Sequence, residues 1–492
     1  GLFAGWEGVG LASYLLIGFW NHVPAYAVAA KKAFIMNRVG DMGMLIAMMA
    51  MVASFHSVSF SVVSSQVESI PAASATVIGF FLLVAACGKS AQFPLQAWLG
   101  DAMAGPTPVS ALIHAATMVT AGVYLIVRSG DVFMAAPIAA TAVAIIGAIV
   151  GCAKDDMKKV LAASTMSQIG YMMLGAGLGP IGWAFSIFHL FTHGFFKALM
   201  FLGAGSVMHG MGDQVNMRRF GALRGAMKVT WLTFMMGWLA ILGVPPFSGY
   251  WSKDKIIEAA FSADSFGGNT ALWAGWVYGA VAMIGAGVTA FYMSRLFFMT
   301  FHGKARWTTE AEGAPVHPHE SGPLMTIPMI ILAIGAVVLG GALSVGNTFT
   351  NWLVPSIGHV MHGEPVLNEY VIQGATLALV ILGAVIAWMK YGRDEVPTSV
   401  PAGNALTEAA RRDLYQDTVN ETLFMMPAKG LVTVATVGDA SAIDGALNGL
   451  GAGSQLLGRL VGVTQNGLVR TYAAYILGGV ILALAIVLGF RL

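Results

Sequence analysis

Apolar stretches of about 20 residues recur along almost the whole chain, and this repetition decides what the chain can fold into. A helix of about 20 residues crosses roughly 30 Å of hydrocarbon while satisfying its own backbone hydrogen bonds. Twelve stretches of this kind lie near residues 1–18, 30–54, 76–100, 106–127, 132–152, 160–178, 182–208, 229–250, 271–300, 324–344, 370–390 and 471–490. The sequence therefore predicts an all-α, polytopic membrane helix bundle with about 12 spans.

The composition supports this prediction and excludes several functional classes. Hydrophobic residues make up 57% of the chain and charged residues 10%, whereas a soluble domain carries about 25% charged residues. The formal net charge of +2 is too small for a nucleic-acid-binding surface. The two cysteines, Cys87 and Cys152, are too few for an iron–sulfur cluster, which needs about four. We therefore expect any redox cofactor on another chain.

The distribution of basic residues predicts the orientation of the spans. If the spans alternate, four basic residues lie on one side, namely Arg128, Lys253, Lys255 and Arg491. Fifteen lie on the other side: Lys31, Lys32, Lys154, Lys158, Lys159, Arg218, Arg219, Arg224, Lys228, Lys304, Arg306, Lys390, Arg393, Arg411 and Arg412. Basic loops face the cytoplasm in membrane proteins, so we expect the carboxyl terminus on the opposite, periplasmic side.

Residues 413–470 contain no span but are amphipathic at the helical period. Asp444, Asn448 and Arg459 share one helical face, and Leu447 and Leu457 share another. This pattern predicts a long interfacial helix lying along the membrane, interrupted at Pro427 and at its glycines. A linker packed on its own bundle is the alternative.

Several ionisable residues fall inside predicted spans, where a charge costs at least about 2.5 to 3.5 kcal/mol. Lys89 lies five residues before Pro94, and Lys253 follows Pro245-Pro246. Proline interrupts a helix and frees backbone groups that can line a hydrated cavity. The sequence thus predicts two proline-broken helices, each with a lysine, in inverted repeats of the kind that transporters use.

The buried groups form two patterns that suit proton transfer. If Glu7 approaches Lys89, the carboxylate helps the amine hold a proton, and separation favours release. His189, His193 and Lys197 recur every four residues, so they share one helical face and form a candidate relay. A zinc site and plain packing are the alternatives for the histidines. No HExxH pattern or nearby cysteine completes a zinc site.

Six long motifs resemble the large antiporter-like subunits of respiratory complex I, the family of subunit L in bacteria and subunit 5 in mitochondria. They lie at residues 5–11, 37–41, 88–96, 101–118, 159–171 and 188–199. The resemblance covers essentially the whole chain. It implies that the twelve spans correspond to family helices five to sixteen, so that about four N-terminal helices are missing.

The resemblance also implies an organisation and a set of site residues. Residues 1–300 would form the antiporter-like proton-translocating core, 301–412 further spans and a cytoplasmic loop, 413–470 the lateral helix, and 471–492 the last span. Proton translocation would use Glu7, Arg38, Asp41, Lys89, His114, Asp156, His189, His193, Lys197, Lys253 and Asp254. Asp155 lies beside Asp156, and either carboxylate fits that place.

The family further implies partners, cofactors and location. The chain would translocate protons in the membrane arm of a proton-translocating NADH:quinone oxidoreductase, in contact with other membrane-arm subunits, especially the sister antiporter-like subunits along the lateral helix. NADH, FMN, iron–sulfur clusters and quinone would bind partner subunits, and this chain would hold neither a cofactor nor a metal. The complex would lie in the bacterial inner membrane. The alternatives are the large subunit of a multisubunit Na⁺/H⁺ antiporter and a subunit of a membrane-bound bicarbonate accumulator.

Overall fold

The computed structural model describes residues 1–135, 154–262, 273–307, 316–361, 363 and 365–490. Within these ranges the regular structure is helical and no strand is formed, as the sequence predicts. The chain forms two compact units, Gly1–Leu414 and Tyr415–Leu492. The predicted span at 132–152 and Cys152 lie mostly or wholly outside the described residues.

The first unit is a helical bundle in which the helix Met157–Gly177 is buried along nearly its whole length. Its helices are α1 (Leu2–Ile17), α2 (Pro24–Phe55), α3 (Phe60–Gln66), α4 (Ala72–Lys89), α5 (Ala97–Asp101), α6 (Thr107–Ala115), α7 (Ala121–Arg128), α8 (Gly130–Ala135), α9 (Met157–Gly177), α10 (Trp183–Gly210), α11 (Lys228–Leu242), α12 (Ser248–Ala260), α13 (Trp273–Phe301), α14 (Pro323–Ser344), α15 (Thr348–Ile357), α16 (Glu369–Ala387) and α17 (Ala405–Arg411).

Both predicted proline breaks are present. α4 ends at Lys89, and the chain stays non-helical past Pro94 until α5 begins. α11 ends before Gly243, whose φ of 81° lies in the left-handed region that glycine tolerates, and α12 begins after Pro246. The arrangement of these breaks in inverted repeats stays a prediction.

A third interruption, which we did not predict, separates α6 from α7. The hydroxyl of Thr117 donates to the carbonyl of Leu112 at 2.8 Å, and the Thr117 amide also bonds that carbonyl. Threonine side chains that bond nearby carbonyls compete with regular helical hydrogen bonding. No proline marks this interruption, so it is difficult to predict from the sequence.

Seven described helices are long and apolar enough to cross a membrane, and α1 and α11 are apolar but shorter. The predicted stretches near 76–100, 106–127 and 229–250 are each divided by one of the interruptions. The figure of about 12 spans therefore stays a prediction, whereas the polytopic helical architecture is confirmed.

Contacts between loops bring together several of the basic residues, whereas the alternation of the spans stays a prediction. At one end of the bundle, Lys154 pairs with Asp413 at 2.8 Å and Lys32 pairs with Asp101 at 2.7 Å. The Arg306 guanidinium donates there to the carbonyls of Met217, Arg218 and Met299, and burial lowers the pKa of Arg306 to about 10. It still carries its charge at neutral pH. Contacts thus join residues that the sequence assigns to one side.

Asp155, which lies just before α9, connects α13 with the loop that contains Arg218. Its carboxylate accepts from Arg218 Nε at 2.8 Å and also pairs with Arg295 on α13. Arg218 in turn donates to the carbonyl of Pro397. Asp156, by contrast, caps α9 by accepting from the Lys159 amide at 3.0 Å.

The second unit begins with a helix that continues through Pro427, which corrects our expectation of a break. Its parts are α18 (Gln416–Asn420), α19 (Met426–Gly438) and α20 (Asp444–Gly462), joined by π-helical turns at Glu421–Met425 and Asp439–Ile443. The wider π turn lets the chain pass a proline that lacks an N–H. At 1.5 Å per residue the helix is about 70 Å long. After it comes α21 (Val469–Gly489).

The different contacts of the two aspartates predict different effects on stability. Asp155→Asn should destabilise the protein by about 3 to 5 kcal/mol, because it removes the charge that pairs two buried arginines. Asp156→Asn should change stability by less than about 0.5 kcal/mol, because asparagine caps a helix as well as aspartate. Thermal unfolding midpoints of the purified variants measure both effects. Equal losses would contradict the assignment.

Candidate functional site

A buried ion pair joins Lys89 to Asp41 at the end of α4. Lys89 is 1% exposed, and its Nζ lies 3.0 Å from Asp41 Oδ1. The Trp6 indole donates to the same oxygen at 2.8 Å, and Lys89 Nζ lies 5.8 Å from the centre of the Trp6 ring. The cation is therefore held by a carboxylate and by an aromatic face.

Glycines permit this contact. Gly40 on α2 and Gly88 on α4 face each other so closely that a Cβ at Gly40 would lie 3.0 Å from Gly88 Cα. A Cβ at Gly10 on α1 would lie 2.7 Å from Lys89 Nζ. Small residues let helices approach at this depth, and here they bring Asp41 to the lysine.

The carboxylate partner of Lys89 differs from the one we expected. Glu7 bonds Arg38 at 2.9 Å instead, in a pair whose side chains are 24% and 46% exposed. α1 packs on α2, and α2 packs on α4. Asp41 on α2 is therefore better placed to contact Lys89 directly. Arg38 also lies 3.8 Å from Asp41, so the four charges form one group.

The helix break after Lys89 contacts the interruption between α6 and α7. Ser90 donates its hydroxyl to the Val119 carbonyl at 2.7 Å. His114, in the last turn of α6, is fully buried against Phe201, with ring centres 5.2 Å apart. Neither ring nitrogen of His114 has a hydrogen-bond partner in the described part of the chain.

His193 on α10 contacts the residue that follows His114. Its Nδ1 lies 3.2 Å from the Ala115 carbonyl, which can only accept, so Nδ1 carries the proton. Nε2 then has a lone pair, and no described residue bonds it. The ring centres of His193 and His189 are 6.1 Å apart.

His189 connects α10 with the neighbouring helices. Its Nδ1 lies 2.9 Å from the Ser252 hydroxyl on α12, and its Nε2 lies 3.1 Å from Gln168 Oε1 on α9. The Thr192 hydroxyl lies 2.8 Å from that of Ser252. Lys197, one turn beyond His193, is fully buried, and among the described residues its Nζ has no hydrogen-bond partner.

Lys253 and Asp254 lie at the second helix break. Lys253 Nζ donates to the carbonyls of Ile241 and Leu242 at 3.0 and 2.9 Å, at the end of α11. Asp254 lines a cavity of about 300 Å³ together with Lys255, Glu258 and Glu369. Lys255 bonds both of these glutamates at 2.8 Å.

One predicted site residue lies away from the others. Asp156 is the cap of α9 at the loop end of the bundle, and its contacts are with Lys159 and the strand-like pairing to Asn216. Its neighbour Lys158 is buried and donates to the carbonyls of Met103 and Gly105 at 2.7 and 2.8 Å.

Sequence reasoning missed the neutral polar residues of the site. These residues are Ser90, Gln168, Thr192 and Ser252. Uncharged polar residues occur in spans for many reasons, so their presence alone does not indicate a functional site. Position offers a partial signal, since Ser90 and Ser252 are each adjacent to a lysine at a helix break.

Comparison with known proteins assigns the family. Residues 1–277 match the family described as NADH:quinone oxidoreductase/Mrp antiporter, TM. NADH-quinone oxidoreductase subunit L of Mycobacterium tuberculosis (strain CDC 1551 / Oshkosh) is 51% identical over 100% of this chain and 77% of that protein. The chain belongs to the NADH:quinone oxidoreductase/Mrp antiporter membrane family.

Two further members of this family are similar over nearly the whole chain. NAD(P)H-quinone oxidoreductase chain 5 of Picosynechococcus sp. is 38% identical over 97% of this chain and 76% of that protein. A solved structure of the Mrp complex from Dietzia sp. DQ12-45-1b contains a chain with 27% identity and a TM-score of 0.66, covering 91% of this chain and 49% of that one.

The two carboxylate pairs should differ in their effect on stability. Asp41→Asn should cost about 3 to 5 kcal/mol, because it leaves the Lys89 ammonium buried without a counter-charge. Glu7→Gln should cost less than Asp41→Asn, because its partner Arg38 is 46% exposed and so less dependent on a counter-charge than Lys89. Thermal unfolding of the purified protein measures both. Adding Lys89→Met to Asp41→Asn should restore much of the loss, and a further loss in the double variant would argue against the pair.

Proposed function

We propose that this chain is the antiporter-like, proton-translocating subunit of the membrane arm of NADH:quinone oxidoreductase. It would move protons through its buried lysine, histidine and carboxylate side chains, driven by quinone reduction elsewhere in the complex. The 51% identity to a subunit L over the full chain supports the assignment to this complex. The chain is then part of an oxidoreductase that is also a translocase.

The observation that carries the proposal is a row of buried polar groups that extends between the two broken helices. Lys89 precedes Ser90, which contacts Val119 in the third interruption. His193 contacts Ala115, next to His114, and His189 contacts Ser252, next to Lys253. Buried polar groups are costly at membrane depth, and a row of them with unbonded nitrogens between the direct contacts has a clear use in proton transfer.

Each group has a definite chemical task in this series. The Lys89 amine holds a proton while Asp41 compensates the positive charge. When the pair separates, the amine releases the proton. His193 accepts a proton at Nε2, the nitrogen that has the lone pair. The ring nitrogens of His114 and the Lys197 amine have no hydrogen-bond partner among the described residues. They are the positions where a transferring proton or a bridging water molecule would bind.

The remaining site residues have less direct tasks. Arg38 and Glu7 would adjust the field around Asp41, with which Arg38 already interacts. Lys253 and Asp254 would pass protons towards the cavity beside Glu258 and Glu369. Asp156, at the end of the bundle, would act at the surface where protons enter rather than within the buried series.

Partners follow from the same assignment. NADH, FMN, iron–sulfur clusters and quinone would be bound by partner subunits, and the sister antiporter-like subunits would contact the second unit of this chain. The protein would lie in the bacterial inner membrane with its carboxyl terminus in the periplasm. The large subunit of an Mrp-type Na⁺/H⁺ antiporter is the second candidate, favoured by the similarity to the Mrp chain but at 27% rather than 51% identity.

Substitution of Lys89 tests the proton-carrier role. Lys89→Met removes the titrating amine, and Lys89→Arg keeps a charge that cannot be released. Both should lower redox-driven proton uptake by membrane vesicles, per assembled complex, to a small fraction of the wild-type value. A structural cation would tolerate arginine better than methionine.

Lys304→Met is the matched control, because Lys304 pairs with Glu395 on an exposed surface. Its proton uptake should equal that of the wild type. Full uptake with Lys89→Arg, combined with loss in Lys89→Met, would show that a fixed charge suffices.

Changes in the second unit test the partner assignment. Deleting residues 430–465 should weaken co-purification of the other membrane-arm subunits. Leu447→Glu, on the apolar face, should do the same, whereas Asn448→Glu on the polar face should not. Subunit stoichiometry of the purified complex measures this, and normal assembly with loss of proton uptake would favour a role in coupling instead.

A further inference from the structure

Gln168 is a neutral residue of α9 whose contacts bear on how His189 can work. Its side chain is fully buried, and its Oε1 lies 3.1 Å from His189 Nε2. Its own Nε2 has no hydrogen-bond partner among the residues that the structure describes. Buried amides normally use both ends, so an idle nitrogen beside a buried imidazole is unusual.

The observed orientation of the amide determines where the His189 proton lies. An amide oxygen only accepts, so His189 Nε2 must carry the hydrogen and Nδ1 must have the lone pair. The Ser252 hydroxyl, 2.9 Å from Nδ1, then donates to the ring. Thr192, whose hydroxyl lies 2.8 Å from that of Ser252, donates to Ser252 in turn. In this arrangement His189 offers a lone pair to α12.

Rotating the amide by half a turn reverses both hydrogen bonds to the His189 ring. The Gln168 N–H would then point at His189 Nε2, which must accept, so the ring proton would lie on Nδ1 and be donated to Ser252. Acceptors for the displaced hydroxyl hydrogens are already in place, since the Ser248 carbonyl lies 3.2 Å from Ser252 Oγ and the His189 carbonyl lies 3.2 Å from Thr192 Oγ1. In both arrangements, each ring nitrogen of His189 has a hydrogen-bond partner.

From this geometry we propose that Gln168 is a positioning residue that sets, by the orientation of its amide, whether His189 offers α12 a lone pair or a proton. A proton that arrives at one ring nitrogen while another leaves from the second converts one tautomer into the other, with no net change in protonation. An amide that can bond either tautomer lets the ring be reset between transfers. The inference rests on the proposed function, because it requires that His189 transfers protons.

Two substitutions of similar size separate the possibilities. Gln168→Leu removes both the acceptor and the donor, and Gln168→Met does the same with an unbranched side chain. Both should retain quinone reduction while lowering the number of protons taken up per NADH oxidised, by the same factor as His189→Ala. Thr165→Val is the control, because Thr165 is equally buried on α9 and, within the described ranges, its hydroxyl bonds only the Leu161 carbonyl. It should keep the wild-type ratio.

A double variant shows whether Gln168 acts through His189. Gln168→Leu should cause no further loss in a His189→Ala background, because the ring that it positions is gone. A purely structural role would add its own loss. If Gln168→Leu fails to assemble, Gln168→Met in the same two backgrounds carries the test.

The outcomes distinguish this inference from the function on which it rests. A wild-type ratio in Gln168→Leu or Gln168→Met, or additive losses in the double variant, would overturn the positioning role while leaving proton transfer by His189 intact. A wild-type ratio in His189→Ala would show instead that His189 is not on the path, and both proposals about it would fail.

Discussion

The buried ammonium of Lys89 is the constraint on which much of the first unit depends. A charge with 1% exposure is costly without a counter-charge, and α2 brings Asp41 within 3.0 Å of it. That approach requires Gly40 and Gly88 at the contact between α2 and α4. It also gives Trp6 its place, because the indole donates to the same Asp41 oxygen that pairs with Lys89. One electrostatic requirement thus accounts for helix spacing, glycine positions and the packing of α1.

Interruptions in helices connect this ion pair with the rest of the bundle. In an unbroken helix the backbone N–H and C=O groups bond one another. At the end of α4 and in the gap between α6 and α7 such groups are available to side chains, and the Ser90 hydroxyl bonds the Val119 carbonyl there. The Ala115 carbonyl at the same gap fixes the hydrogen on His193. At the last break, Lys253 satisfies two carbonyls at the end of α11. The polar groups of the site therefore replace hydrogen bonds that the broken helices lack.

Much of this architecture could be predicted from the sequence, and the exceptions have physical causes. Span length and proline positions are local properties, and they predicted the helical bundle and both proline breaks. The choice of Asp41 rather than Glu7 as the partner of Lys89 depends on how closely α2 packs on α4, which is not a local property of the sequence. The interruption after His114 contains no proline, so the sequence does not indicate it. Gln168 is one of several buried polar residues on α9, and only the position of His189 distinguishes it.

The π turns of the second unit have a consequence for the angular phase of its apolar stripe. A π turn holds one more residue than an α turn, and one residue corresponds to about 100° around a helix axis. The turn at Asp439–Ile443 therefore rotates everything after it relative to a regular helix. Rotation of this kind can offset the steady drift of a repeating stripe along a long helix. The direction in which Leu447 and Leu457 point is thus set by the extra residue of this π turn, as well as by their own positions in the sequence.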